Sequence, residues 1–206
     1  MPTTPLAKTP YPSGSDAPAA AADMMRFLTH IDPKLVHDAV DEADRDARYS
    51  DGPKGILVVS GDVKKVWLKI ADGTPRWIAI YEDTGWVDKG FTVAQGFEIG
   101  GHLRARRVNK VVELRAHLLR TGDAIKANQY TYPGNVADLN IIAVPAQFWP
   151  DAPTTVVMPF LSNVTAGTMS LTSSGNIAIR DAYPASEIAN GDWVQFSTTF
   201  LQDKDI

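Results

Sequence analysis

Cysteine is absent from all 206 residues. That excludes disulfides and cysteine-based zinc or redox centres. Charge is sparse and nearly balanced: Asp, Glu, Lys and Arg make up 21% of the chain, and the formal net charge is −4. A dedicated nucleic-acid binder needs a basic stripe, so no nucleic-acid partner is expected. No apolar run approaches the ~18 residues of a transmembrane helix, so no membrane insertion is expected. The opening Met1-Pro2-Thr3-Thr4-Pro5 lacks the basic-then-apolar order of a secretory signal, and the expected place of synthesis is the cytosol.

Signatures of catalysis are also missing. There is no H-E-x-x-H and no G-x-S-x-G. The four histidines, His30, His37, His102 and His117, form no ligand motif, and most single histidines are simply solvated. The run Asp41-Glu42-Ala43-Asp44 lacks the alternating spacing and central glycine of a calcium loop and reads as a solvated helix face. Gly96, Gly100 and Gly101 have no Lys-Ser/Thr behind them, so they bound a strand rather than cradle a phosphate. Glu98, Glu113 and Glu187 are too scattered to nominate a carboxylate pair. The expectation is a non-enzyme with no catalytic residue, no metal and no cofactor.

What is present is a globular share of hydrophobic residues, 44%, and a clear order of segments. Residues 1–22 are rich in Pro, Thr, Ser and Ala and read as a disordered or partner-docked arm. Residues 23–50 read as a helical stem. Ala19 to His30 is helix-compatible, and Asp32-Pro33 then supplies an N-cap and an N1 proline for a second helix running to Tyr49. Leu35, Val36, Ala39, Val40, Ala43 and Ala47 would form its apolar stripe, a small-residue seam suited to self-association or to packing on its own chain.

From Asp51 the period changes to two. Ile56–Val59, Val66–Ile70 and Trp77–Tyr81 read as a β-meander neck over 51–85, with Ser60-Gly61-Asp62 and Ala71-Asp72-Gly73 as turns. Lys65 and Lys69 bracket an apolar centre, as on an exposed edge strand. Residues 86–206 read as an antiparallel β-sandwich head of about eight strands. Within it Leu103–Val108 and Val111–Leu119 meet across Asn109-Lys110 as a hairpin. That register sets Ala105 against Leu114 and Arg106 against Glu113, and opposes Arg104 and Arg115. Later strands are Ile141–Val144, Thr155–Phe160, Thr168–Thr172, Asn176–Ile179 and Trp193–Leu201.

Two features suggest recognition. Arg104, Arg106 and Arg107 share one strand, fit for an anion or glycan or for cross-strand pairing. Tyr130 and Tyr132 sit in one turn-rich loop, and Phe148 and Trp149 in another. Such rings either stack on sugars and partners or cap the ends of a sandwich. The candidate receptor-binding residues are Tyr130, Tyr132 and Trp149.

The order of features carries a resemblance. A Pro/Thr-rich arm precedes Ala43-Asp44-Arg45-Asp46-Ala47, then Thr84-Gly85-Trp86-Val87. The strand Val111-Val112-Glu113-Leu114-Arg115 follows, then Ile141-Ile142-Ala143-Val144-Pro145, Phe148-Trp149-Pro150, and a closing Trp193 to Phe200. This layout resembles the minor tail and receptor-binding proteins of tailed bacteriophages, especially those infecting actinobacteria. The resemblance implies a mainly β virion protein of the tail: a homotrimer with a jelly-roll-like head, its arm attached to other tail or baseplate proteins, its head meeting a host cell-surface glycan. The chain departs from that pattern at Phe148-Trp149, where a basic or small residue often stands. Two other classes are carried beside it. One is a cellular carbohydrate-binding module or lectin-like adhesin. The other is a tail-associated depolymerase, which would need paired carboxylates at a cleft.

Overall fold

Local capping decides the first departure from these expectations. The computed structural model describes residues 20–31 and 35–203. The arm up to residue 19 and the Asp32-Pro33 start signal lie outside the described residues. The first helix, α1, spans Ala20–Ile31 as the sequence predicts. The expected helix from Pro33 to Tyr49 is instead a strand, a turn and a short helix. Strand β1, Val36–Asp38, pairs in parallel with β2, Leu57–Ser60, setting Val36 beside Leu57. Helix α2 covers only Glu42–Tyr49, because Asp41 is its N-cap and accepts from Asp44 N–H at 2.9 Å. An aspartate that bonds the backbone this way starts a helix rather than continuing one. Asp44 in turn accepts from Val40 N–H at 3.0 Å. That bond, then Arg48, holds the Asp44 carboxyl below its usual value. Its stabilising contribution is present above the unfolded pKa and is lost as pH falls through the lowered one.

The described residues up to Asp83 form one unit and those from Thr84 another. In the first, β3 (Lys65–Lys69) and β4 (Trp77–Glu82) complete a four-stranded sheet of order β1-β2-β3-β4. The three antiparallel strands of the expected meander are thus present. Strand β3, however, is internal rather than an edge, and its lysines are not solvated guards. Lys69 is 1% exposed. Its ammonium donates to the carbonyls of Tyr49, at 2.8 Å, and Ser50, at the C-terminus of α2. A cation belongs at that end of a helix, where the last carbonyls lack partners. Lys65 meets Glu42 at 2.9 Å and Glu82 at 3.8 Å. Arg45 of α2 lies over the Trp67 ring at 4.8 Å and the Trp77 ring at 5.0 Å, and Lys69 over Trp77 at 5.1 Å. Ala39, Ile56, Val58 and Trp67 make the small core beneath this stack.

Opposite that covered face, alternation leaves the other side of the sheet open. One cross-strand row there is Val36, Leu57, Leu68 and Ile78, and a second runs Val59, Val66 and Tyr81. Val36, Val59, Ile78 and Tyr81 are exposed, as are Leu35 and Val40 nearby.

The second unit is built on one eight-stranded antiparallel sheet. Its strands are β5 (Thr92–Val93), β6 (Phe97–Val108), β7 (Val111–Arg120), β9 (Asn135–Ala143), β10 (Val156–Ser162), β11 (Ala166–Leu171), β12 (Asn176–Ala182) and β14 (Trp193–Leu201). Their order is β5-β9-β12-β11-β10-β14-β7-β6. The two end strands are consecutive in the chain, so the sheet curls into a nearly closed barrel or sandwich around its inner face. A small pair, β8 (Ile125–Lys126) with β13 (Glu187–Ile188), lies beside it. The mainly β class and the sandwich head stand as expected. The core holds Leu114, Leu118, Ile141, Phe148, Phe160, Met169, Leu171, Ile177 and Val194, all essentially fully buried. Burial of each large side chain contributes about 1.5–3 kcal/mol.

The β6–β7 hairpin has the predicted register. Val108 pairs with Val111, Ala105 with Leu114, Arg106 with Glu113, and Arg104 with Arg115. Asn109 supplies the positive φ of the turn, at 52°. Two segments read as separate strands, Phe97–Ile99 and Leu103–Val108, are one strand carrying a bulge at Gly100, Gly101 and His102. In β14, Val194 and Phe196 are buried while Gln195, Ser197 and Thr199 are exposed, the alternation the sequence predicts.

Candidate functional site at the tyrosine loops

The loop between β8 and β9 is shaped by its own backbone. Asn128 Oδ1 accepts the N–H groups of Tyr130 at 3.0 Å and Thr131 at 3.2 Å. This is the local bonding that makes asparagine a turn residue. Asn135 N–H reaches Tyr132 O at 3.0 Å and Gly134 N–H reaches Asn128 O at 2.7 Å. Gly134, at φ +87°, passes so close to β12 that a Cβ would meet Ala182 O at 2.6 Å. Ala182 N–H donates back to Gly134 O at 2.9 Å. The loop is therefore stitched to the start of the β12–β13 connection, whose first residue is Tyr183.

Tyr183 donates its N–H to Ala166 O at 3.0 Å, and its carbonyl accepts from Ser186 N–H at 3.0 Å. The two tyrosine loops thus join through Gly134 and Ala182. Tyr130 is 83% exposed, Tyr132 78% and Tyr183 74%. The three phenol rings are thus open to water, and each offers an apolar face and a polar tip. Tyr132 and Ala185 both have positive φ, 56° and 61°, at a cost of about 1–2 kcal/mol each. Tyr132→Gly is accordingly expected to raise stability by about 0.5 kcal/mol, read by thermal melting, while deleting the ring. A clear loss of stability would contradict the strained backbone.

Trp149 belongs elsewhere. Its Nε1–H donates to Val144 O at 2.6 Å, its carbonyl accepts from Gln202 Nε2 at 2.7 Å, and the ring packs on the core. Gly175, at φ +80°, leaves room for the indole, and a Cβ there would overlap it. The neighbouring Phe148 is fully buried. Trp149 is thus held against the core beside Phe148, whereas Tyr130 and Tyr132 stand exposed. Tyr183 went unnoticed in the sequence, although the dipeptide Tyr132-Pro133 recurs as Tyr183-Pro184.

The arginine strand divides by alternation. Arg107 turns inward, is 1% exposed, and donates to Gln202 Oε1 at 3.2 Å. Arg104 and Arg106 face outward with Glu113 and Arg115. Of the dispersed acids, Glu187 pairs with Lys126 at 3.6 Å and Glu113 with Arg115. Among the described residues no group of three or more His, Asp or Glu is placed to hold a metal ion. No protein-family model matches the chain, and no curated protein matches it.

Proposed function

We propose that this chain is a non-enzymatic structural subunit of a bacteriophage tail that assembles with copies of itself and presents its tyrosine loops to a host surface. The observation that supports the assembly is the pair of uncovered apolar surfaces in the first unit. Along α1, Met24, Phe27, Leu28 and Ile31 recur at helical spacing, and Met24, Met25, Phe27 and Leu28 are exposed. The open face of the four-stranded sheet offers Val36, Val59, Ile78 and Tyr81. A 12-residue helix is marginal in water unless its apolar stripe is buried. An open apolar sheet face has the same need. Helix α1 of one copy laid on the sheet of the next satisfies both, and such a head-to-tail contact gives a ring when its rotation closes. Three copies are the number that the resemblance to tail proteins implies. Self-association rests on α1 and the sheet rather than on the seam of Ala39, Ala43 and Ala47, because Ala39 is buried in the chain's own small core and Ala43 and Ala47 lie on a helix of two turns.

The contact is tested by complementation. Phe27→Asp removes the helix surface and Ile78→Asp the sheet surface, so each variant alone should sediment as a monomer. Mixed, they retain one intact helix and one intact sheet and should form a one-to-one dimer. Variants that assemble like the unaltered chain would overturn the contact.

The receptor role predicts that changing Tyr130, Tyr132 and Tyr183 together to Ala lowers binding of the labelled protein to actinobacterial cells by about tenfold or more. Assembly and melting temperature should stay unchanged. Unaltered cell binding by the assembled variant would remove the loops from that role.

A further inference from the structure

The outer face of β6, β7 and β14 carries an arrangement that the fold does not need. Read across the register, its rows are Arg106–Glu113–Thr199, Arg104–Arg115–Ser197 and, past the bulge, His117–Gln195. Arg104 and Arg115 stand directly opposite one another, a like-charge pairing that destabilises a sheet. Both guanidinium groups lie on one ring, Trp86, at 4.5 Å and 5.0 Å. Glu113 engages Arg115, accepting from its Nε at 2.6 Å. Arg104 Nε is buried and has no hydrogen-bond partner, and neither has His117 Nδ1. A buried donor left unmade costs about 1–3 kcal/mol, so this face spends stability on something other than folding.

The surroundings sharpen the chemistry. The His117 ring rests on Gly100 and Gly101, where a Cβ would approach its Nδ1 to 3.0 Å and 3.1 Å. On its other side it stacks with Trp193 at 5.8 Å, and His102 lies 6.4 Å from it. His102 is held below its ordinary pKa by burial and by Arg104, His117 and Arg115, which marks a locally positive field. Trp86 is exposed at one side of the guanidinium pair. Along β14, Gln195, Ser197 and Thr199 line the face with exposed, neutral hydrogen-bonding groups.

We propose that this face is a binding site for an anionic saccharide, with Arg104 and Arg115 clamping the acid group and with Trp193, backed by His117, and the β14 side chains holding the sugar ring. Two guanidiniums side by side are matched to a carboxylate or phosphate. The Trp193 indole offers an apolar face to a pyranose, and Gln195, Ser197 and Thr199 offer partners for its hydroxyls. A bound anion relieves the Arg104–Arg115 repulsion. The proposal is independent of the tail reading and of the tyrosine loops, which use other residues.

Calorimetric titration of the full chain tests it, using an oligogalacturonate, the matching uncharged oligosaccharide and inorganic phosphate as probes. Oligogalacturonate should bind saturably and weaken with salt. Arg104→Gln and Arg115→Gln should each weaken it about tenfold. Glu113→Gln, which frees Arg115, should tighten it, a gain that a misfolded variant cannot produce. The uncharged sugar should bind far more weakly, and phosphate more weakly than the oligogalacturonate. Phosphate binding alone would overturn the saccharide assignment. Absence of binding by every probe, equal binding of charged and uncharged sugars, or unchanged binding by the Arg104→Gln, Arg115→Gln double variant would each overturn the site.

Discussion

Gly167→Ala is expected to destabilise the second unit by about 3 kcal/mol, among the larger effects of a single methyl group. Gly167 is the second residue of β11 and lies opposite Ala182 of β12, just before the register shift that follows Thr168. A Cβ at this position would overlap Asp181 O and fall 2.7 Å from both Ala182 Cα and Phe160 Cε1. Two of those obstacles are backbone, and the third is a core ring, so nothing swings aside. Next to it Thr168 donates its N–H at 3.0 Å and its hydroxyl at 2.5 Å to the Asp181 carboxylate, bonds that a shift would break. Gly61→Ala is the control. It has open space around it and no unusual φ, and should change stability by less than about 0.5 kcal/mol. Urea unfolding followed by tryptophan fluorescence measures both. Equal midpoints would show that β11 and β12 are not packed as described.

Lys69→Met is expected to unfold the first unit while the second stays folded. Methionine keeps most of the apolar stem but removes the ammonium, leaving the carbonyls of Tyr49 and Ser50 without the donor they share. It also removes one member of the stack running Lys69, Trp77, Arg45 and Trp67. Unpairing buried groups of this kind costs about 3 kcal/mol. Among the described residues, the core under them contains only Ala39, Ile56, Val58 and Trp67 as buried apolar residues, so little remains to absorb that loss. Amide hydrogen exchange should show protection lost across β1–β4 and kept across β6, β7 and β14. Protection kept in β2 and β3 would mean that Lys69 is a bystander.

The β-hairpin was legible because its information is local. Asn109 tolerates the turn, and alternation on each side fixes the register, down to Arg106 facing Glu113. The closing strand Trp193–Leu201 was legible for the same reason. What escaped was set by longer-range demands. The run from Leu35 to Tyr49 has helical periodicity throughout, but β1 gains a partner in β2 and Asp41 claims a cap, neither of which periodicity contains. Lys69 reads as a surface residue until the C-terminus of α2 brings the carbonyls of Tyr49 and Ser50 to it. Trp149 shares its sequence character with Tyr130 and Tyr132, and only the space left by Gly175 separates a capping indole from an exposed ring. The Tyr183 loop joins the Tyr132 loop through the backbone contact of Gly134 with Ala182, a pairing distant in sequence that spacing does not encode.

The central claim is that the uncovered surfaces of the first unit bring copies of this chain together. Light scattering on the protein eluting from size exclusion gives the mass of the assembly without reference to its shape. The account predicts a species of three chain masses that persists on dilution. A single species of one chain mass across the same concentrations would contradict it.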